Sequence, residues 1–196
     1  MDTNIHIIEK PDWVAWDTIH EVVYKAHEQN IRDGIVMRNP LLPGKSIEEK
    51  IGNEGVMLVA MDGSDVVGTA ALIPRTGTSW YNKGQYAYLC FGAVLPQYRG
   101  TGVYRRLCIE RERLALSMGL DRLYIDTHQK NNHTIEINVK CGFKKVAVKL
   151  CGDHINVVLF KWISSCPYSS IFCTLKYFMS FIRINMYRLK RLLFHT

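Results

Sequence analysis

With 196 residues, 47% of them hydrophobic, the chain has the size and apolar content of one domain with a buried core, and it contains no internal repeat or low-complexity block. Its charge of +7 is uneven, because every acidic residue lies at or before Asp153, so residues 1–163 carry +2 and residues 164–196 carry +5. A nearly neutral body argues against nucleic acid as a partner, and the polar opening MDTNIHIIEK and the lack of a bilayer-length apolar run argue against a signal peptide or a membrane span.

The first strand is read in NIHIIE, where apolar and polar residues alternate. A helix is expected over residues 11–30, with Trp13, Trp16, Ile19, Val23 and Ala26 on one face and Pro11 and Asp12 as start signals. IRDGIVMRNPLLPGK is a connection punctuated by glycine and proline. SIEEKIGN predicts a short second helix, capped by Ser46 with Glu49 three residues on. VMLVAMDGSDVVGTAALI predicts two strands joined by a tight turn at Asp62-Gly63-Ser64. The loop PRTGTSWYNKGQ leads into a fourth strand, YAYLCFGAV, apolar and aromatic throughout. In GVYRRLCIERERLALSMG, the residues Val103, Leu107, Ile109, Leu114 and Met118 recur close to helical spacing. LDRLYIDTH predicts a fifth strand, NNHTIEINVKCG a short helix ending at Gly142, and FKKVAVKL with INVVLFKWI an antiparallel pair around Gly152. The order β-α-α-β-β-β-α-β-α-β-β is that of an α/β chain of the α+β type, a mixed seven-stranded sheet with helices on both faces. Cysteines 90, 108, 141, 151, 166 and 173 form no CxxC pair and no cluster with histidine, which predicts reduced thiols in a cytoplasmic protein without disulfide or metal.

Between the fourth strand and the third helix runs VLPQYRGTGVYRR. A strand that ends in Gly-x-Gly and opens a helix aims several backbone N–H groups at one point, and the helix dipole adds positive potential there. That is a place for a phosphate. The P-loop string GxxxxGK followed by Ser or Thr is absent, and the dinucleotide fingerprint GxGxxG fails because Arg105 stands where its third glycine belongs. Instead, Gln97-Tyr98-Arg99-Gly100-Thr101-Gly102 fits the pattern Gln/Arg-x-x-Gly-x-Gly/Ala. On this string within AVLPQYRGTGV, and on NNHTIEINVKCGF about thirty residues later, the chain resembles the GNAT acetyltransferase superfamily. The order of strands and helices from Ile5 to Ile163 matches as well, and the tail is left out.

The resemblance implies the GNAT acyl-CoA N-acyltransferase fold for residues 1–163 and acetyl-CoA as cofactor. Backbone N–H groups of Arg99, Gly100, Thr101, Gly102, Val103 and Tyr104 would hold the CoA pyrophosphate, with Arg99, Arg105 and Arg106 adding charge. Ala93, Val94 and Leu95 would bond pantetheine as an added strand, because the fourth and fifth strands splay in this family. One N–H of that stretch would polarise the thioester carbonyl. The family pattern N-x-x-A-x-x-x-Y-x-x-x-G-F puts Asn131 on CoA, Thr134 at the alanine, and Asn138 at the tyrosine that usually protonates the departing thiolate. Asparagine has no such proton to give. The thiolate is then protonated by solvent or by another group, Tyr104 being one candidate, or the chain is an inactive acyl-CoA-binding or regulatory module.

The reaction implied is direct attack by a primary amine on the acetyl carbonyl, with a base to take its proton. The fourth strand lacks the glutamate that many family members carry, so Asp126 and His128, on one face of the fifth strand, are the candidate catalytic bases. The small-molecule acceptor, such as an amino sugar or sugar nucleotide, is expected among the first two helices, the connection from residue 31 and the aromatic loop SWYNKGQYAY. Arg32 and Arg38 hint that it is anionic. In the tail, Ile171, Leu175, Phe178, Ile182, Met186, Leu189 and Leu193 fall in a narrow arc of a helix, with Lys176, Arg183, Lys190 and Arg191 elsewhere. Residues 164–196 therefore read as a basic amphipathic extension. Its stripe either packs on its own domain or on the second subunit of a homodimer, or lies on the anionic inner face of a membrane.

Overall fold

The computed structural model describes residues 5–35, 38–163 and 170–194, with side chains to residue 189. Strand β1 (Ile5–Glu9) is followed by α1 (Trp16–Arg32), a 3-10 turn at Asn39–Leu41, α2 (Gly44–Ile51), β2 (Val56–Asp62), β3 (Asp65–Gly77) and β4 (Gly84–Val94). A second 3-10 turn, Pro96–Tyr98, precedes α3 (Val103–Ser117), β5 (Arg122–His128), α4 (Asn132–Lys140), β6 (Lys144–Cys151), β7 (His154–Trp162) and α5 (Ser170–Phe194). The strands form one sheet in the order β1-β2-β3-β4-β5-β7-β6, antiparallel except where β4 meets β5.

Alternation along β2 divides the core between the two faces. Met57, Val59 and Met61 pack with Ile19, Val23, Ile47 and Ile51 of α1 and α2. Leu58 and Ala60 pack with Val103 and Leu107 of α3 on the other side. The far half of the sheet closes over Leu123, Ile125 and Leu159 with Ile135 of α4 and Ala115 of α3. Gly142, at a φ of 92°, ends α4 as expected: its own N–H donates to Val139 O at 3.0 Å and that of Phe143 to Asn138 O at 3.1 Å.

Three expectations need correction. Helix α1 starts at Trp16, not near Pro11, because residues 11–14 form a separate turn that leaves Trp13 66% exposed. Helix α2 starts at Gly44 with Pro43 before it, so Ser46 lies inside the helix and caps nothing. On α3, Ile109 and Met118 face solvent, while Cys108, Arg111 and Ala115 are buried with Val103 and Leu107.

Strand β4 is irregular on both of its sides. Its register with β3 slips between Thr69↔Ala93 and Ala71↔Cys90, so Phe91 and Gly92 bulge out together. Phe91 takes a φ of 50°, and the buried Thr69 hydroxyl donates to its carbonyl at 2.7 Å, holding the bulge. On the other side, β4 pairs with β5 at only Ala87↔Leu123 and Tyr88↔Tyr124. Beyond that point the two strands part, although β4 continues to Val94 and β5 to His128.

Helix α5 covers the edge strand β6. Cys173 is buried in the aromatic cluster of β5 and β7, Tyr177 and Ile184 pack on the sheet, and Ser180 Oγ accepts the Val148 N–H at 2.9 Å. The expected stripe is not the packed face: Ile171, Leu175, Phe178, Ile182, Met186 and Leu189 are 57–74% exposed. They lie opposite Cys173, Tyr177, Ser180 and Ile184 on the helix, so the apolar arc faces outward. The stripe's Leu193 lies beyond the described side chains.

Candidate active site

The entry to α3 is the first part of the site. Gly100 and Gly102 have φ of 79° and 85°, with no atom within 4 Å of where a β-carbon would stand, so glycine is needed there for the backbone angle. The first helical hydrogen bond of α3 is that of Arg106 N–H to Gly102 O, at 3.1 Å. The N–H groups of Gly100 through Arg105 therefore have no backbone partner among the described residues. Arg99 differs from expectation, because its N–H is already bonded to Pro96 O at 3.2 Å. Two of the arginine side chains also serve the fold: Arg99 donates to Ala26 O and Arg106 to Ile5 O, each at 2.6 Å. The Thr101 hydroxyl closes the turn on Tyr98 O at 2.7 Å.

The β4 edge is the second part. Leu95 N–H bonds Val67 O of β3 at 2.9 Å, and Ala93 pairs with Thr69. By antiparallel alternation the N–H and C=O of Val94 then face the gap left by β5. Beside them, the Gly92 carbonyl accepts from His27 Nε2 at 3.1 Å, and Asn30 bonds the other ring nitrogen at 3.4 Å. Together these bonds describe a neutral imidazole with its proton on Nε2. Burial pushes the His27 pKa below its usual 6.5; the Gly92 bond opposes that and the Arg99 charge adds to it.

The third part is a cleft of about 320 Å³ on the α1–α2 side of the parted strands, lined among others by Arg38, Lys50, Asp126, His128, Lys149 and His154. Asp126 and His128 do share this cleft. Asp126 Oδ2 accepts from Lys149 at 3.0 Å and from Asn156 at 2.7 Å. His128 is buried, its ring 5.2 Å from that of His154, and its Nδ1 accepts the Lys130 N–H at 3.1 Å. Its pKa is lowered by burial, then by His154 and Lys130. A neutral His128 bonded in this way carries its proton on Nε2 and offers the cleft a donor. Of the two arginines expected near the acceptor, Arg38 lines the cleft, whereas Arg32 pairs with Glu28 at 2.6 Å on the exposed face of α1.

The fourth part lies beneath the bulge. Asn131 is buried as the N-cap of α4, accepting from Thr134 N–H at 3.4 Å and donating to Thr127 Oγ1 at 3.1 Å. Asn138 is fully buried; it donates to Thr134 O at 2.7 Å and accepts the Tyr104 hydroxyl at 3.2 Å. The ring of Tyr104 packs on Gly92. Sequence reading passed over Arg111, Lys50, Lys149 and His27. For Arg111 a signal existed, since it follows Val103 and Leu107 at four-residue spacing, a charge on the apolar row.

Residues 16–143 match the Acetyltransferase (GNAT) family. No curated protein sequence matches the chain. Among solved structures, an acetyltransferase from Streptococcus agalactiae superposes with a TM-score of 0.62 at 19% identity, over 83% of this chain and 99% of that one. The ribosomal-protein-S18-alanine N-acetyltransferase of Escherichia coli gives 0.59 at 15% identity, over 84% and 97%. An aminoglycoside 6'-N-acetyltransferase complexed with coenzyme A gives 0.61 at 18%, over 83% and 99%. A phosphate-type helix entry, a bulged strand with a free edge and a neighbour that parts from it stand together with a family match over most of the chain. The chain is a member of the GNAT family of acetyl-CoA-dependent N-acetyltransferases.

Proposed function

We propose that the chain transfers the acetyl group of acetyl-CoA by direct attack of a small primary amine that also carries a carboxylate or phosphate. The observation behind this reading is the parting of β4 and β5 beyond Tyr88↔Tyr124, with two chemically different features on these strands and their ends. One is the row of N–H groups from Gly100 to Arg105, suited to a diphosphate. The other is the cleft where Arg38, Lys50, Lys149 and two histidines face the single carboxylate of Asp126. In this reading pantetheine adds to β4 along Ala93–Leu95, with Val94 N–H turned to the thioester carbonyl. Asn131 keeps α4 in place beside the cofactor. Asp126 draws the proton from the attacking amine, directly or through water, and His128 donates to the acceptor.

The test is thiol release from acetyl-CoA over a panel of amines. Amino acids, amino-sugar phosphates and sugar nucleotides should outpace neutral amines of equal size, and Arg38→Ala should raise KM for the amine while leaving KM for acetyl-CoA unchanged. Faster turnover of neutral amines would overturn the anionic-acceptor reading. The presence of Asn138 at the family's tyrosine position favours a second reading, a non-catalytic acyl-CoA-binding module. Cofactor binding without turnover on any amine would support that module instead.

For the extension at 164–196 we propose attachment of a cytoplasmic enzyme to an anionic membrane surface. The outward arc of α5 is apolar, Lys176 and Arg183 flank it, and residues from 164 on contain no acid. A second copy docked on this arc would face the same basic flank with nothing to neutralise it. No helix among the described residues is long and apolar enough to cross a membrane, so contact would be at the surface.

A further inference from the structure

On α3 the buried row reads Val103, Leu107, Arg111, Ala115, and its third member is a guanidinium only 2% exposed. Among the described residues no carboxylate pairs with it; Glu110 is bound to Arg113 and Glu112 to Lys161. Arg111 Nε has no hydrogen-bond partner, Nη2 donates to Cys108 Sγ at 3.3 Å, and the guanidinium carbon stands 5.8 Å from the centre of the Tyr104 ring. A cation buried without an anion is unfavourable for folding, so this arrangement calls for a use beyond packing.

Its surroundings suggest the use. Arg111 Nη1 and the Tyr104 hydroxyl come within 3.8 Å and 3.7 Å of where a β-carbon on Gly92 would stand, so both reach the bulge of β4. The hydroxyl rests on Asn138 Oδ1, and the bond from Asn138 Nδ2 to Thr134 O fixes which way that carboxamide points. Tyr104 is half-buried, and its ring edge comes within 3.4 Å of where a β-carbon on Gly92 would stand.

We propose that Tyr104 is the general acid for the departing thiolate, and that Arg111 is a positioning residue whose charge stabilises the phenolate left behind. This rests on the proposed acetyl transfer at β4. When the carbon–sulfur bond breaks, its electron pair goes to sulfur; the Tyr104 O–H bond breaks and the proton forms S–H. The phenolate regains a proton from solvent, which receives the one released by the acceptor nitrogen as the amide forms. The products are amide and CoA thiol, and the enzyme is restored. Burial raises the phenol's pKa and would make it a poor acid, and the Arg111 charge is the largest influence opposing that. Asn138, in the position of the family's tyrosine, holds the acid instead of being it.

The experiment compares the full chain with Tyr104→Phe, Arg111→Met and Arg111→Lys. Tyr104→Phe should lower kcat about 100- to 10,000-fold, with KM for acetyl-CoA within about threefold. Arg111→Met removes an uncompensated buried charge, so it should melt at the same temperature or higher while losing most of kcat. It should also move the tyrosinate ultraviolet transition of Tyr104, identified by difference from Tyr104→Phe, to higher pH. Arg111→Lys should restore part of both. An Arg111→Met chain that melts lower yet keeps its kcat would overturn the proposal, as would a Tyr104→Phe chain within twofold of the parent. Failure of the parent to bind coenzyme A would instead count against the transferase reading; the tyrosinate titration needs no turnover and judges the Tyr104–Arg111 coupling separately.

Discussion

Gly102 has open space where a β-carbon would go and a φ of 85°. Gly102→Ala should therefore cost about 1 kcal/mol through backbone strain alone. It should also raise KM for acetyl-CoA by tilting the N–H groups at the start of α3, as melting and steady-state kinetics would show. His27 provides a pH test. Its folded pKa lies below the usual 6.5, so the unfolded chain takes up the proton first as pH falls. Stability from this residue is complete above 6.5 and declines as pH drops below it, and His128 acts in the same direction. Thermal melts across that range should show the decline, and His27→Gln should flatten it. At this scale the sequence revealed what a motif carries. Gly100, Gly102 and Asn138 stand out in the string, whereas the His27 bond to Gly92 joins α1 to β4 across 65 positions and has no local trace.

Strands and their order were legible because alternation and turn glycines act over a few residues, as in the β2–β3 and β6–β7 hairpins. Helix starts were less so. Pro11 and Ser46 carry the right chemistry for a start, yet neither α1 nor α2 has a side-chain cap, and Gly44 at the start of α2 sits where a β-carbon would meet Trp16 and Asp17 of α1. The bulge at Phe91–Gly92 had no signal, since it depends on the Thr69 hydroxyl in the adjoining strand. Helix α5 was foreseen, but its buried face was not: Ser180 counts as polar on a helical wheel, yet it turns inward for its bond to the β6 edge. Ser180→Ala leaves the Val148 N–H without that acceptor and should cost about 1 kcal/mol, measurable by denaturant titration. A much smaller loss would mean that α5 is not fastened to β6 through this bond.

Over the whole molecule, the family match spans residues 16–143 and leaves α5 outside it. Arg188 of α5 donates to Asp153 O, in the turn of the hairpin whose Lys149 and His154 line the cleft beside Asp126, the proposed acceptor site. A membrane held by α5 would thus lie beside the acceptor side of the sheet. Leu175→Gln with Ile182→Gln changes only outward residues, so it should keep the melting temperature and abolish sedimentation with phosphatidylglycerol vesicles; phosphatidylcholine vesicles should bind neither form. Unchanged sedimentation, or a dimer lost with the same changes, would refute the membrane reading. Catalysis and acceptor choice both presuppose the cofactor site. Calorimetric titration of the full chain with acetyl-CoA should show saturable binding with one site per chain, weakened in Gly102→Ala. A folded chain that gives no heat with either acetyl-CoA or coenzyme A would contradict that site.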